Sequence, residues 1–162
     1  MIKSTANNIY QRYAQEFPID PELIAERMGI LVEEQHWAFS NPSCSGAAFI
    51  RDGQKVIQYE SSHSRVRQRF TIAHELGHHV LGHTAQGKQF RDTPNNYRMS
   101  SAPAEVEANT FAAELLMPAS VVDFAIFTKN IRGIKNLAKA FDVSEAAMAI
   151  RLKTLGVIHE HN

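Results

Sequence analysis

From Ser61 to Leu81 the chain runs without a proline, carries Gly77 as its one glycine, and repeats its apolar residues at helical intervals, with Phe70, Ala73, Gly77 and Leu81 near one face. Gly82 then ends the pattern. This long helix constrains the rest of the fold. Its flanks, Phe70-Thr71-Ile72-Ala73 and Val80-Leu81, can bury it, and they enclose the ionisable segment His74-Glu75-Leu76-Gly77-His78. That segment has the H-E-x-x-H pattern. A step of four residues turns a helix through about 400°, which leaves the two imidazoles about 40° apart on one face and one turn apart. Two ligands for one metal ion are thereby in place. Glu75 points elsewhere and is too short to be a third ligand beside them, but it can reach a water next to the ion. Gly77 costs about 1 kcal/mol relative to Ala inside a helix, so its presence implies close approach of another backbone or room near the ion.

Catalytic zinc usually has three protein ligands and one open position. A second helix, opened by Pro103 and carrying Glu105 to Met117, offers Glu105 and Glu107. At about 100° per residue, Ala108, Ala112, Leu115 and Leu116 fall within about 80° of Glu105, whereas Glu107 lies with Thr110 and Glu114 on the polar side. A buried acid is costly unless it is paired or binds metal, so Glu105 is the expected third ligand. The competing reading pairs it with Arg69 or Arg98. Asn109, one turn beyond Glu105, can accept the outer N–H of a liganding His and fix its ring, or serve as a packing contact. His79 and His83 raise the local histidine density. His79 is expected to face away from the ion and His83 to be structural. His36, His63, His159 and His161 belong to no constellation, and Cys44 has no His partner for thiol chemistry. Arg65, Arg67 and Arg69 are expected to form a solvated helix face.

The remaining signals predict a mostly helical α+β chain. Ala6–Ala14 reads as a helix, Asp20 and Pro21 start another over Glu22–Met28 that stops at Gly29, and Ile30–Glu34 reads as a strand. Ala47–Arg51 and Lys55–Tyr59 flank Asp52-Gly53, a hairpin signal. Together they predict a small three-stranded, largely antiparallel sheet. His83 to Ser101 reads as a long loop. Pro118–Phe127 is a further helix, and Ile134–Phe141 with Ser144–Leu155 forms a pair of helix-turn-helix character. The expected division is a core over 1–118 and a helical part over 119–162 packed on it. Lys plus Arg and Asp plus Glu both number 17, so nothing in the charge balance calls for nucleic acid. A single cysteine makes an internal disulfide impossible. With no signal peptide and no stretch approaching the ~20 apolar residues of a membrane span, a cytoplasmic location without membrane association is expected.

Phe70 to His83 (Phe-Thr-Ile-Ala-His-Glu-Leu-Gly-His-His-Val-Leu-Gly-His) closely resembles the active-site helix of the ImmA/IrrE metallo-endopeptidases, and Glu105 to Pro118 (Glu-Val-Glu-Ala-Asn-Thr-Phe-Ala-Ala-Glu-Leu-Leu-Met-Pro) resembles that family's second signature. The pair of motifs is more specific than either alone, and a looser likeness runs from about Ile24 to Leu155. The resemblance implies a zincin-like fold and a zinc endopeptidase, with His74, His78 and Glu105 on the metal and Glu75 as catalytic base. It also implies a protein substrate, a helix-turn-helix repressor or antitoxin-like protein, often one encoded beside the enzyme. With the chain ending at Asn162, no sensory or DNA-binding extension is expected, and any trigger is expected from a partner, a metal level or expression. The oxyanion donor is open, with Tyr97 and Arg98 as candidates. Two other readings stand beside this one: a DNA- or protein-binding regulator using the C-terminal helix pair, and a binding module in which zinc is structural. The second leaves Glu75 without a purpose. Substrate identity and oligomeric state stay open.

Overall fold

Short local signals fix the elements around the long helix. In the computed structural model, which describes residues 1–14, 17–37, 40, 43–85, 90–92 (backbone alone) and 103–157, helix α1 (Ile2–Tyr13) precedes α2 (Pro21–Arg27). The Asp20 carboxylate accepts the backbone N–H groups of Glu22 and Leu23, with Pro21 at the first helical position. Strands β1 (Leu31–Gln35), β2 (Gly46–Arg51) and β3 (Gln54–Glu60) follow. Asp52 and Gly53 both take positive φ, 50° and 79°, as a two-residue turn matched to strand twist requires. The long helix is α3 (Arg65–Val80), capped by Ser64. After it come β4 (Phe90–Asp92), α4 (Pro103–Leu116), α5 (Ala119–Asp123), a π-helical turn (Phe124–Thr128), α6 (Ile134–Phe141) and α7 (Glu145–Thr154).

The α+β class is as expected, and the sheet is larger and more mixed than expected. Its order is β1-β3-β2-β4. β2 and β3 pair antiparallel, with Ala48 opposite Ile57. β1 lies beside β3 rather than β2 and runs parallel to it, Leu31 opposite Val56. The fourth strand falls inside the stretch read as a loop. Phe90-Arg91-Asp92 has no alternation of its own, and its strand character comes from pairing with the edge of β2, Ala48 opposite Phe90.

Helix α3 packs on β2 and β3 with one side and on α4 with another. One apolar core joins Ile57 of the sheet, Ile72, Ala73 and Leu76 of α3, and Phe111, Ala112 and Leu115 of α4. The same core takes in Ala6 of α1 and Leu137, Phe141, Met148 and Leu152 of the last two helices. Gly77 has the close backbone approach that its cost implied. A Cβ there would lie 3.0 Å from Phe111 Cδ1 and 3.3 Å from both Cα and O of Ala108. No single helix among the described residues is long and apolar enough to cross a membrane.

The arginine trio is solvated at Arg65 and Arg67 and departs from that expectation at Arg69 alone. Arg65 is exposed, but Arg69 is buried. Three and four residues before Ile72 and Ala73, it lies on the core side of α3. Its guanidinium donates to the carbonyls of Ile19 (2.6 Å) and Asp142 (2.9 Å), tying α3 to the turn between α6 and α7. Arg69 is therefore not a partner of Glu105. Arg98 lies outside the described residues.

Candidate metal centre

The i, i+4 spacing of His74 and His78 and the buried face of α4 meet where the two helices cross. His74 and His78 are 3% and 0% exposed, and Glu105 is 8% exposed, far too little for a solvated carboxylate. One ligand atom from each converges within 4.8 Å of the others. His74 Nε2 is 2.9 Å from Glu105 Oε2, His78 Nε2 is 3.2 Å from Glu105 Oε1, and the two Nε2 atoms are 3.2 Å apart. A tetrahedral ion held at about 2.0–2.1 Å would set neighbouring ligand atoms about 3.3 Å apart. The triad is close to that size before any ion is considered.

The outer nitrogens decide what the inner ones can do. Asn109 Oδ1 lies 2.8 Å from His74 Nδ1. An amide oxygen only accepts, so Nδ1 carries the proton, and a neutral His74 presents a bare Nε2 lone pair to Glu105. On the second arm His78 Nδ1 lies 2.9 Å from His83 Nδ1, and His83 Nε2 lies 2.8 Å from Glu107 Oε2. Burial opposes ionisation of Glu105, and hydrogen bonds from His74 and His78 outweigh it and hold the carboxyl down at about 2 only while their Nε2 atoms carry protons; with those nitrogens bare, that task falls to a cation. Burial pushes the His78 pKa down, more than its contact with Glu105 raises it. With one carboxylate, and with His78 disfavoured as a cation, the site gathers negative charge among converging acceptors. A divalent cation satisfies all three at once, and a His₂-carboxylate set suits zinc among others.

Glu75, fully buried, is not one of the three converging residues. Its position is set by β2. A Cβ on Gly46 would come within 2.8 Å of Glu75 Oε1 and 2.5 Å of Thr71 Cγ2, so the strand start has a glycine where the carboxylate arm of α3 passes. Nothing in the local sequence of β2 announces this, because the requirement comes from a helix met later in the chain.

The structure thus brings His74, His78 and Glu105 together and leaves Glu107 off the triad, as the helical angles predict. Asn109 is on the outer nitrogen of His74. His79 faces away as expected, bonded to Thr84 Oγ1 and the Val56 carbonyl. His83, expected to be structural, is closer to the site than the sequence indicated and touches a triad histidine. The signal for this was Gly82. At φ +80° it closes α3 with two backbone bonds, Gly82 N–H to the His79 carbonyl and His83 N–H to the His78 carbonyl, and this hairpin-like cap folds His83 back over His78. Tyr97, Arg98, His159 and His161 lie outside the described residues.

A family model described as peptidase M78, the IrrE N-terminal-like domain, matches residues 25–153. Among solved structures, a Mycobacterium tuberculosis transcriptional regulator superposes with a TM-score of 0.62 at 18% identity, over 94% of this chain and 46% of that one. At that identity the likeness is one of fold, and this chain spans less than half the length of that protein. No curated protein matches the chain.

Proposed function

The chain belongs to the peptidase M78, IrrE N-terminal-like family, and from that premise we propose that it is a zinc endopeptidase with its ion on His74, His78 and Glu105 and with Glu75 as general base. The observation that carries the reading is the convergence within 4.8 Å of three buried ligand atoms, two from the helix that also bears Glu75 and one from Glu105 on α4. Zinc at such a site supplies Lewis acidity to the scissile carbonyl and to a water. Each of the chain's own groups has a task. Asn109 holds the His74 ring, and Glu105 provides the negative charge. Glu75 accepts the proton of the attacking water, and the same carboxyl, now protonated, delivers it to the departing amine.

The substrate we propose is a helix-turn-helix repressor or antitoxin-like protein, a reading supported by the family of the two signature segments. Incubated with such a repressor, the zinc-loaded chain is expected to produce discrete fragments. A chelator should stop the cleavage and added zinc restore it; fragmentation indifferent to chelator would overturn the proposal.

The similarity in fold to a transcriptional regulator favours a second reading, a regulator acting through α6 and α7. The exposed positions of α7 and its cap are Ser144, Glu145, Ala146, Ile150, Lys153 and Thr154. α7, the would-be recognition helix, thus offers one acid and one lysine, which do not make the basic stripe that phosphate contacts demand, although α6 exposes Lys135 and Lys139 beside it. A salt-sensitive shift of operator DNA by the chain would favour this second reading over the first.

A further inference from the structure

Resting on the metal-site reading above, we propose that Glu107 and His83 form a positioning relay that fixes the tautomer and the ring orientation of His78. The argument starts at the outer end. Glu107 Oε2 lies 2.8 Å from His83 Nε2. An ionised carboxylate can only accept, so His83 carries its proton on Nε2 and has a bare lone pair on Nδ1. That Nδ1 lies 2.9 Å from His78 Nδ1. Two facing ring nitrogens need one proton between them, and with His83 set as acceptor it belongs to His78. His78 Nδ1–H therefore donates to His83, and the His78 lone pair is left on Nε2, 3.2 Å from both His74 Nε2 and Glu105 Oε1. A carboxylate on the partly exposed side of α4 thus determines, through two rings, which nitrogen of His78 faces the ion.

The backbone is built to hold the relay. The two bonds of the cap at Gly82 return the chain so that residue 83 lies over residue 78. Glu107 stands two positions after Glu105, so α4 supplies one carboxylate to the ion on its buried side and a second to the relay from its flank. The two arms of the site are then unlike. His74 is held by a neutral amide, Asn109, whereas His78 is held by an imidazole that is itself backed by a charge. Removing the partner of a metal-bound histidine typically lowers metal affinity by about 10–100-fold.

The test uses the full chain and zinc itself, titrated against a chromophoric chelator, with the cobalt(II) absorption spectrum as a second readout. Glu107→Ala is expected to weaken zinc binding about 10–100-fold and to shift the cobalt bands, while the metal-free melting temperature stays near that of the wild type. Glu107→Gln keeps a carbonyl acceptor for His83 and should recover most of the affinity. Wild-type affinity and an unshifted spectrum in Glu107→Ala overturn the proposal, as does an equal loss in Glu107→Gln. A wild type that takes up no zinc defeats the metal-site reading instead. In that event the tautomer of His83 in the metal-free chain, read by two-bond proton–nitrogen NMR, decides the relay: a proton on Nε2 upholds it and a proton on Nδ1 overturns it.

Discussion

Glu75→Gln should retain about one zinc per chain and lose peptide hydrolysis by about 10²–10⁴-fold, the range that a positioned general base contributes, or about 3–5 kcal/mol of barrier. The two effects separate because Glu75 is outside the converging triad while sharing its helix. Gln is nearly the same shape as Glu, so the fit against Gly46 and Thr71 is kept and the fold is not disturbed. What is lost is the basic lone pair that takes the proton from water. Hydrolysis by Glu75→Gln at the wild-type rate, with the same zinc content, would remove Glu75 from the mechanism.

Arg151→Ala should destabilise the fold by about 3–5 kcal/mol, the usual cost of breaking a buried ion pair by removing one partner. Arg151 is 3% exposed. Its Nη1 and Nη2 meet the two carboxylate oxygens of Glu114 at 3.1 and 2.9 Å, and its Nε donates to the Met117 carbonyl at 2.9 Å. This fork fastens α7 to the end of α4, and truncation leaves the Glu114 carboxylate without its main partner in a mostly buried place. Against a typical domain stability of about 5–15 kcal/mol, the loss is large and should appear as a lower urea midpoint. The paired change Arg151→Met with Glu114→Leu removes both charges and should recover much of the loss, since apolar replacement of a buried pair is often neutral or better. An Arg151→Ala chain with an unchanged midpoint would show that the fork does not anchor α7.

The convergence of His74, His78 and Glu105 was legible because it obeys helical arithmetic. His74 and His78 share a face by spacing alone, and the apolar company of Glu105 on its own helix separates it from Glu107. Asn109 followed from the same angles. The hairpin at Asp52-Gly53 and the cap at Asp20 were legible because each is a local contest between side chain and backbone. What the sequence withheld was settled by partners far along the chain. β4 is a strand only because β2 offers an edge, and Gly46 is needed only because Glu75 arrives beside it. Arg69 reads as surface charge until Ile19 and Asp142 present their carbonyls. The relay through His83 depends on a single left-handed residue, Gly82, whose effect on the histidine after it is a matter of three-dimensional return rather than of periodicity.

The most direct measurement is metal content by elemental analysis of the wild type, Glu105→Ala and Glu107→Ala, each loaded with excess zinc and then desalted. About one zinc per chain is predicted for the wild type, retained by Glu107→Ala at saturating zinc and lost from Glu105→Ala. A wild type without zinc, or a Glu105→Ala chain that holds as much zinc as the wild type, would contradict the three-residue metal centre and the peptidase reading built on it.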